Sequence, residues 1–339
     1  IGIFISMLLI CKLLGLSTLK KIGIMICLYV CWSGLNILGE IAMAVWGHGE
    51  GSIIGGAFGW PEYISNLQYT PNNALLEWVF NQTIVPWIVV PLFLQDKRID
   101  ILAYLGLCMF PFAPFPFVGF FGICVMWALF EAVCLIKESK YKQLLKSVFS
   151  IPNIIAILSV FVVFGLLFLC NAAVNGSTGA GGMELYTESE DYSNKQFLCT
   201  LMFYVLEFLV YSVLIFKENK KNLIYWVINI ILVICPLIKV GTGRDFCMRA
   251  SIPALFILMI MVIKKICQAQ TEVLTTRTAI LIAVIAVSSL SLVGDWAMSL
   301  RQIKETGSYP IVADDVRSLS LRDAALELNF LIESPETTP

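Results

Sequence analysis

Apolar residues gather in ten runs, at 1–17, 22–46, 74–95, 100–111, 116–136, 153–171, 197–216, 222–240, 250–266 and 277–294. Polar residues fall largely in the gaps between them. The strict alternation of apolar and polar positions that marks a membrane β-barrel strand is absent. Roughly 20 predominantly apolar residues suffice for a helix to cross the hydrocarbon core. Backbone groups in lipid must be satisfied internally, so helices are the expected spanning elements. The pattern predicts an all-α, polytopic integral membrane protein with about ten transmembrane helices. The run at 100–111 is short and leads into Pro111-Phe112-Ala113-Pro114-Phe115-Pro116, where a helix cannot continue. Short proline-broken helices or a re-entrant pair are expected there.

Composition supports the same class. Of 339 residues, 58% are hydrophobic and 14% charged, against about 25% charged in soluble proteins, and the mean hydropathy is +0.84. Basic residues add an orientation. Fifteen of the 23 lie in alternate gaps: Lys12/Lys20/Lys21, Lys97/Arg98, Lys137/Lys140/Lys142/Lys146, Lys217/Lys220/Lys221 and Lys264/Lys265/Arg277. Segment 47–73 has none. The positive-inside rule places those lysine-rich gaps in the cytoplasm and 47–73, 172–196, 241–249 and the tail outside. The expected organisation is one transmembrane domain over 1–296 and an extracytoplasmic tail over 297–339. The apolar start and the abrupt end suggest truncation at both ends. Segment 137–152 alternates lysine with Leu, Val and Phe, as in a basic amphipathic helix on the inner leaflet.

Several functions are excluded or left without support. A net charge of −1 with no basic stripe argues against nucleic acid as a partner. Most of the eleven cysteines lie inside apolar runs, where they act as small hydrophobes. No CxxC pattern occurs and His48 stands alone, so no metal site and no cofactor are expected. Asn81-Gln82-Thr83 and Asn175-Gly176-Ser177 match the glycosylation sequon by chance.

The candidate chemistry is carried by polar groups next to, or inside, the apolar runs. Glu207 is central in FLCTLMFYVLEFLVYSVLIF. Because charge is costly there, it should face protein or a water-filled cavity. It is read either as a functional carboxyl or as a neutral acid bonded to Tyr204 or Tyr211. Glu131 is expected to snorkel or to pair with Lys137. Glu40, on the helix that carries Asn36, is a candidate near the outer mouth, as is Glu50 in the outer loop. In Gln68 to Gln82, Pro71, Asn72 and Asn73 supply a turn and an N-cap. Helical spacing then puts Glu77 and Asn81 on one face, with Trp78 and Gln82 beside them, a set able to bind sugar hydroxyls. The same Trp78 also suits an interfacial belt. Loop 241–249 brings Arg244, Asp245 and Arg249 to a helix start, where arginines and backbone donors can hold an anion. An Asp245–Arg249 pair capping that helix is the simpler alternative. Glu184, Glu188, Glu190 and Asp191 are read as solvated surface.

QYTPNNALLEWVFNQTIVPW, PFAPFPFVGFFG and RDFCMRASIPALFIL resemble an uncharacterised group of bacterial multi-span membrane proteins. In layout that group is similar to C-type (GT-C) glycosyltransferases, and the resemblance spans most of residues 30–270. It implies a polyprenyl-phosphate-linked sugar as donor, transfer at the outer face and a role in cell-envelope glycan assembly. The family's usual catalytic acid, in the first outer loop, would precede this chain. On that expectation Arg244 and Arg249 hold the lipid phosphate, Glu77, Asn81 and Gln82 bind sugar or acceptor, and Glu40 or Glu50 assists. A transporter or flippase with Glu207, Glu131 and Glu40 along its path is the alternative, as is a polymerase or ligase of lipid-linked glycans.

Overall fold

In the computed structural model, residues 1–45, 67–160, 162, 183–185, 194–240, 245–269, 275–293, 296, 300 and 304 are described. They are overwhelmingly helical. Among the described residues, three helices are long and apolar enough to cross a membrane: 114–137, 197–219 and 276–293.

The chain begins with α1 (Gly2–Leu14), α2 (Leu19–Val30) and α3 (Asn36–Val45). Thr18 starts α2 by accepting the Lys21 amide. The run at 22–46, expected as one span, is split by non-helical Cys31–Leu35. Next come α4 (Asn72–Trp78) and α5 (Phe80–Asp96), separated at Val79, whose φ of −134° and ψ of 35° leave the helical region. A 3₁₀ turn (Ile99–Ile101) leads to α6 (Leu102–Met109). The proline-rich hairpin then reverses the chain. Pro114 occupies the first turn of α7 (Pro114–Lys137), where its missing N–H needs no partner. The expected reversal at the prolines is present, but only α6 before it is short; the helix after it runs 24 residues rather than forming a second short helix. α8 (Tyr141–Val148) has no buried residue, and α9 (Ile151–Ser159) follows, capped by Ser150.

The second half contains strand β1 (Met183–Leu185) and α10 (Asn194–Tyr204), which runs through a π-helical turn (Val205–Leu209) into α11 (Val210–Asn219). Then come α12 (Leu223–Ile234), capped by Asn222, and strand β2 (Ile238–Val240). β1 and β2 pair antiparallel, Met183 opposite Val240. Short α13 (Asp245–Ala250), central α14 (Ile252–Ala269) and α15 (Thr276–Ser288) complete the described elements.

α14 organises the bundle. Ser251 to Ile260 are buried without interruption, as expected for a helix apolar on every face. It packs against α2, α5, α7, α11 and α12. At its centre Phe256 stacks on Trp87 of α5 at 5.3 Å, and Tyr29 of α2 meets that tryptophan edge-on at 5.0 Å. Ser6 of α1 donates to the Trp87 carbonyl at 2.8 Å, joining α1 to the nest. α7 instead leaves Phe121, Leu129, Phe130, Val133 and Ile136 exposed. Such a face is stable against lipid rather than water.

Asn153 ties α9 to the turn before α6. Its Nδ2 donates to the Ile99 carbonyl at 2.8 Å, and its Oδ1 accepts from the Ala103 amide at 3.1 Å. Asn153→Ala strands both backbone groups and is expected to lower stability by about 1–2 kcal/mol. The thermal midpoint of the purified protein in detergent should fall accordingly; an unchanged midpoint would refute the tie.

Candidate functional site

The region that stands apart chemically is where the break between α2 and α3 crosses the π-helical turn. The interruption at Cys31–Leu35 frees backbone groups from helical bonding, and several of them find specific partners on other elements. Asn72 of α4 donates through Nδ2 to the Tyr29 carbonyl at 2.7 Å, and through its amide to the Trp32 carbonyl at 3.0 Å. Tyr211 of α11 donates its hydroxyl to the Ser33 carbonyl at 2.7 Å. The Leu35 amide donates to the Leu206 carbonyl at 3.0 Å, inside the π-helical turn. Two backbone irregularities therefore complete one another.

Glu207 lies at this crossing. It is 2% exposed, and neither carboxylate oxygen has a hydrogen-bond partner among the described residues. Its carboxyl rests on the Cα of Gly34: a Cβ there would lie 1.8 Å from Oε2. Only a residue without a side chain leaves room for the carboxyl. The expected partners are occupied elsewhere. Tyr204 donates to the Val233 carbonyl at 2.8 Å and Tyr211 to Ser33, so neither serves Glu207. Asn36, the first residue of α3, is also buried with both amide atoms lacking partners among the described residues. Ser291 Oγ, from the helical stretch 290–293 that continues beyond α15, donates to Ser33 Oγ at 2.9 Å and adds a second hydroxyl. The arrangement is a carboxyl, a carboxamide and two hydroxyls, enclosed in apolar helices at a discontinuous crossing. Such a group can hold a proton, a cation or a small polar solute.

The other expected residues do not converge on one site. Asn72 does not act as the N-cap: Pro71 holds that position, and the Asn72 side chain is drawn inward to the broken helix. The expected Glu77–Asn81 face assumes a continuous helix, but the break at Val79 falls between them and removes the i, i+4 relation. Asn81 is exposed and accepts from the Gln82 amide at 2.9 Å. Gln82 is buried, with Oε1 lacking a partner among the described residues. Glu131 is half-buried on α7 and forms no ion pair with Lys137 among the described residues. Arg249 is half-buried on α13, a helix packed against α7. Glu50 and Arg244 lie outside the described residues, as do the side chains of Glu40, Glu77, Trp78, Asp245 and Glu184 and the whole of Glu188, Glu190 and Asp191.

Gly34 and Ser33 were missed as site residues. Their signal was the pair Ser33-Gly34 in mid-run, where helix propensity drops. No group of three or more His, Cys, Asp or Glu side chains is gathered among the described residues. No family model, curated protein or solved structure matches the chain.

Proposed function

We propose that the protein is a multi-span membrane transporter or flippase in which Glu207 binds the coupling proton or cation. The carrying observation is the Glu207 carboxyl, buried at the crossing of a broken helix and a π-helical turn with no hydrogen-bond partner among the described residues. A carboxyl in such a place needs a proton or a counter-cation, and no described side chain provides the latter. Discontinuous helices are the elements from which many transporters build their central sites, because the unwound backbone can contact the cargo and the halves can move separately. π-Helical turns likewise concentrate at functional positions. On this reading the chain has ten spans, its lysine-rich gaps face the cytoplasm, and Gly34, Asn36 and Ser33 line the carboxyl's path.

The test is proton entry into proteoliposomes loaded with pyranine and driven by a potassium–valinomycin potential. Wild-type protein should acidify the lumen, and Glu207→Gln, which keeps the shape but cannot exchange a proton, should abolish the flux. Equal flux from the variant would reject the role of Glu207.

A second reading follows from Arg249 and the groove of about 570 Å³ between α6, α7 and α9, lined almost wholly by apolar groups. These suit a GT-C-like glycosyltransferase, or a polymerase or ligase, acting on a polyprenyl-phosphate-linked sugar, with the chain in the groove and the phosphate at Arg249 and Arg244. Asp245, Trp78, Asn81 and Gln82 would then contact the sugar, and Glu40, Glu50 or Glu77 would supply the base. Retention of polyprenyl-phosphate binding in an Arg244→Ala/Arg249→Ala variant would sink this reading.

A further inference from the structure

A second polar cavity, of about 320 Å³, lies at the lysine-rich end of the bundle. Lys21 from the first turn of α2, Lys97 after α5 and Lys264 near the end of α14 all line it. Three other basic residues among the described ones have carboxylate partners: Arg98 with Asp100, Lys140 with Glu138 and Lys265 with Glu218. Among the described residues, the three cavity lysines meet no carboxylate and no acidic side chain lines the cavity. Burial, and then the Lys264 charge, pushes the Lys97 ammonium below the usual lysine pKa, as expected for cations gathered without an anion.

Lys97 is also held in a conformation that disfavours a side chain. It caps α5 with φ 48° and ψ 36°, the left-handed region in which glycine is the ordinary choice. Gly15 fills the equivalent position after α1. The Lys97 ammonium sits 5.2 Å from the centre of the Trp127 ring, and Trp127 Nε1 donates to the Lys97 carbonyl at 2.8 Å. The fold thus places an ammonium at the cavity where a glycine would close the helix with less strain.

We propose that this cavity binds a phosphate group through Lys21, Lys97 and Lys264. Ammonium groups act as adaptable point charges toward phosphate oxygens. Leu14, Leu94 and Met261 supply an apolar wall beside them, which suits the glycerol ester of an anionic phospholipid. Inorganic phosphate shares the recognised chemistry without the need for that wall. The site is separate from Glu207 and stands whether or not the protein transports.

The test is calorimetric titration of the full chain in maltoside detergent with dioctanoyl phosphatidylglycerol, dioctanoyl phosphatidylcholine and inorganic phosphate. Phosphatidylglycerol should bind saturably. Its affinity should fall about tenfold to a hundredfold in Lys21→Gln/Lys97→Gln/Lys264→Gln, given about one charge contact per lysine. The charge-matched Lys140→Gln/Lys142→Gln/Lys146→Gln variant should bind as wild type does. Lys97→Gly removes one ammonium while easing the backbone, so its thermal midpoint should hold while its affinity drops. Phosphate binding with the same lysine dependence, without a lipid preference, would support the site and assign it to the free anion. Equal binding of phosphatidylcholine, equal loss in the charge-matched variant, or no binding of either phosphate ligand would overturn the proposal.

Discussion

Gly119→Val is expected to destabilise the folded bundle by about 3 kcal/mol, the upper end for overpacking a closed interface. Gly119 lies on α7 where that helix meets the end of α13. A Cβ at this position would fall 1.9 Å from the Ala250 carbonyl oxygen and 3.0 Å from its carbon. Both atoms belong to the backbone, so no rotamer change relieves the clash. The helices would have to separate, pulling Phe115 from Phe246, whose rings now sit 5.8 Å apart. Small residues govern helix association in lipid because close backbone approach, rather than water exclusion, supplies the attraction. Thermal unfolding in detergent should show a large drop for Gly119→Val and a smaller one for Gly119→Ala. A midpoint matching wild type in the valine variant would contradict the packing.

Gly34→Ala is expected to cost about 2 kcal/mol, and most of that loss should vanish when Glu207→Ala is also present. The new methyl would displace the Glu207 carboxyl, whose Oε2 and Cδ would lie 1.8 and 2.5 Å from it. A carboxyl on a surface could swing aside. At 2% exposure Glu207 is enclosed by close-packed neighbours that resist such a movement. Shortening Glu207 to alanine opens space for the methyl, so the two changes should be strongly coupled. Four midpoints, for wild type, each single variant and the pair, measure the coupling. Additive losses would show that Gly34 and Glu207 do not share a contact. A proton-flux assay of Gly34→Ala adds a functional reading, since displacing the carboxyl should also slow flux.

The helical class and the positions of the apolar elements were legible because they depend on local composition. The proline-rich hairpin before α7 was legible for the same reason: Pro114 has a fixed φ and no amide hydrogen wherever it stands. Glu207 could be singled out because a lone acid in an apolar run is conspicuous, whereas its surroundings could not. Tyr204 and Tyr211 looked available from spacing, yet their hydroxyls serve carbonyls on other elements, Val233 and Ser33. Glu77 and Asn81 shared a face only while the helix was taken as continuous across Val79. The Lys21–Lys97–Lys264 group was seen only as scattered members of separate gaps.

By itself the sequence determined the solvent this protein is built for, since 58% hydrophobic residues and long apolar runs cannot be hidden from water by any arrangement of so few charges. It also marked where several helices begin, at Thr18, Ser150, Asn222 and Thr275, although α5 runs through Pro86 and Pro91 without stopping. Only the tertiary structure decided which apolar helix is central. α14 and α7 are both apolar, but α14 is buried without interruption from Ile252 to Ile260 while α7 keeps an open flank. It likewise decided that the gap at Cys31–Leu35 is stable, because its freed carbonyls and amides are matched by Asn72, Tyr211 and Leu206 from distant parts of the chain. Hydrophobicity is a property of each segment, whereas complementarity of shape and of hydrogen bonds exists only between segments brought together.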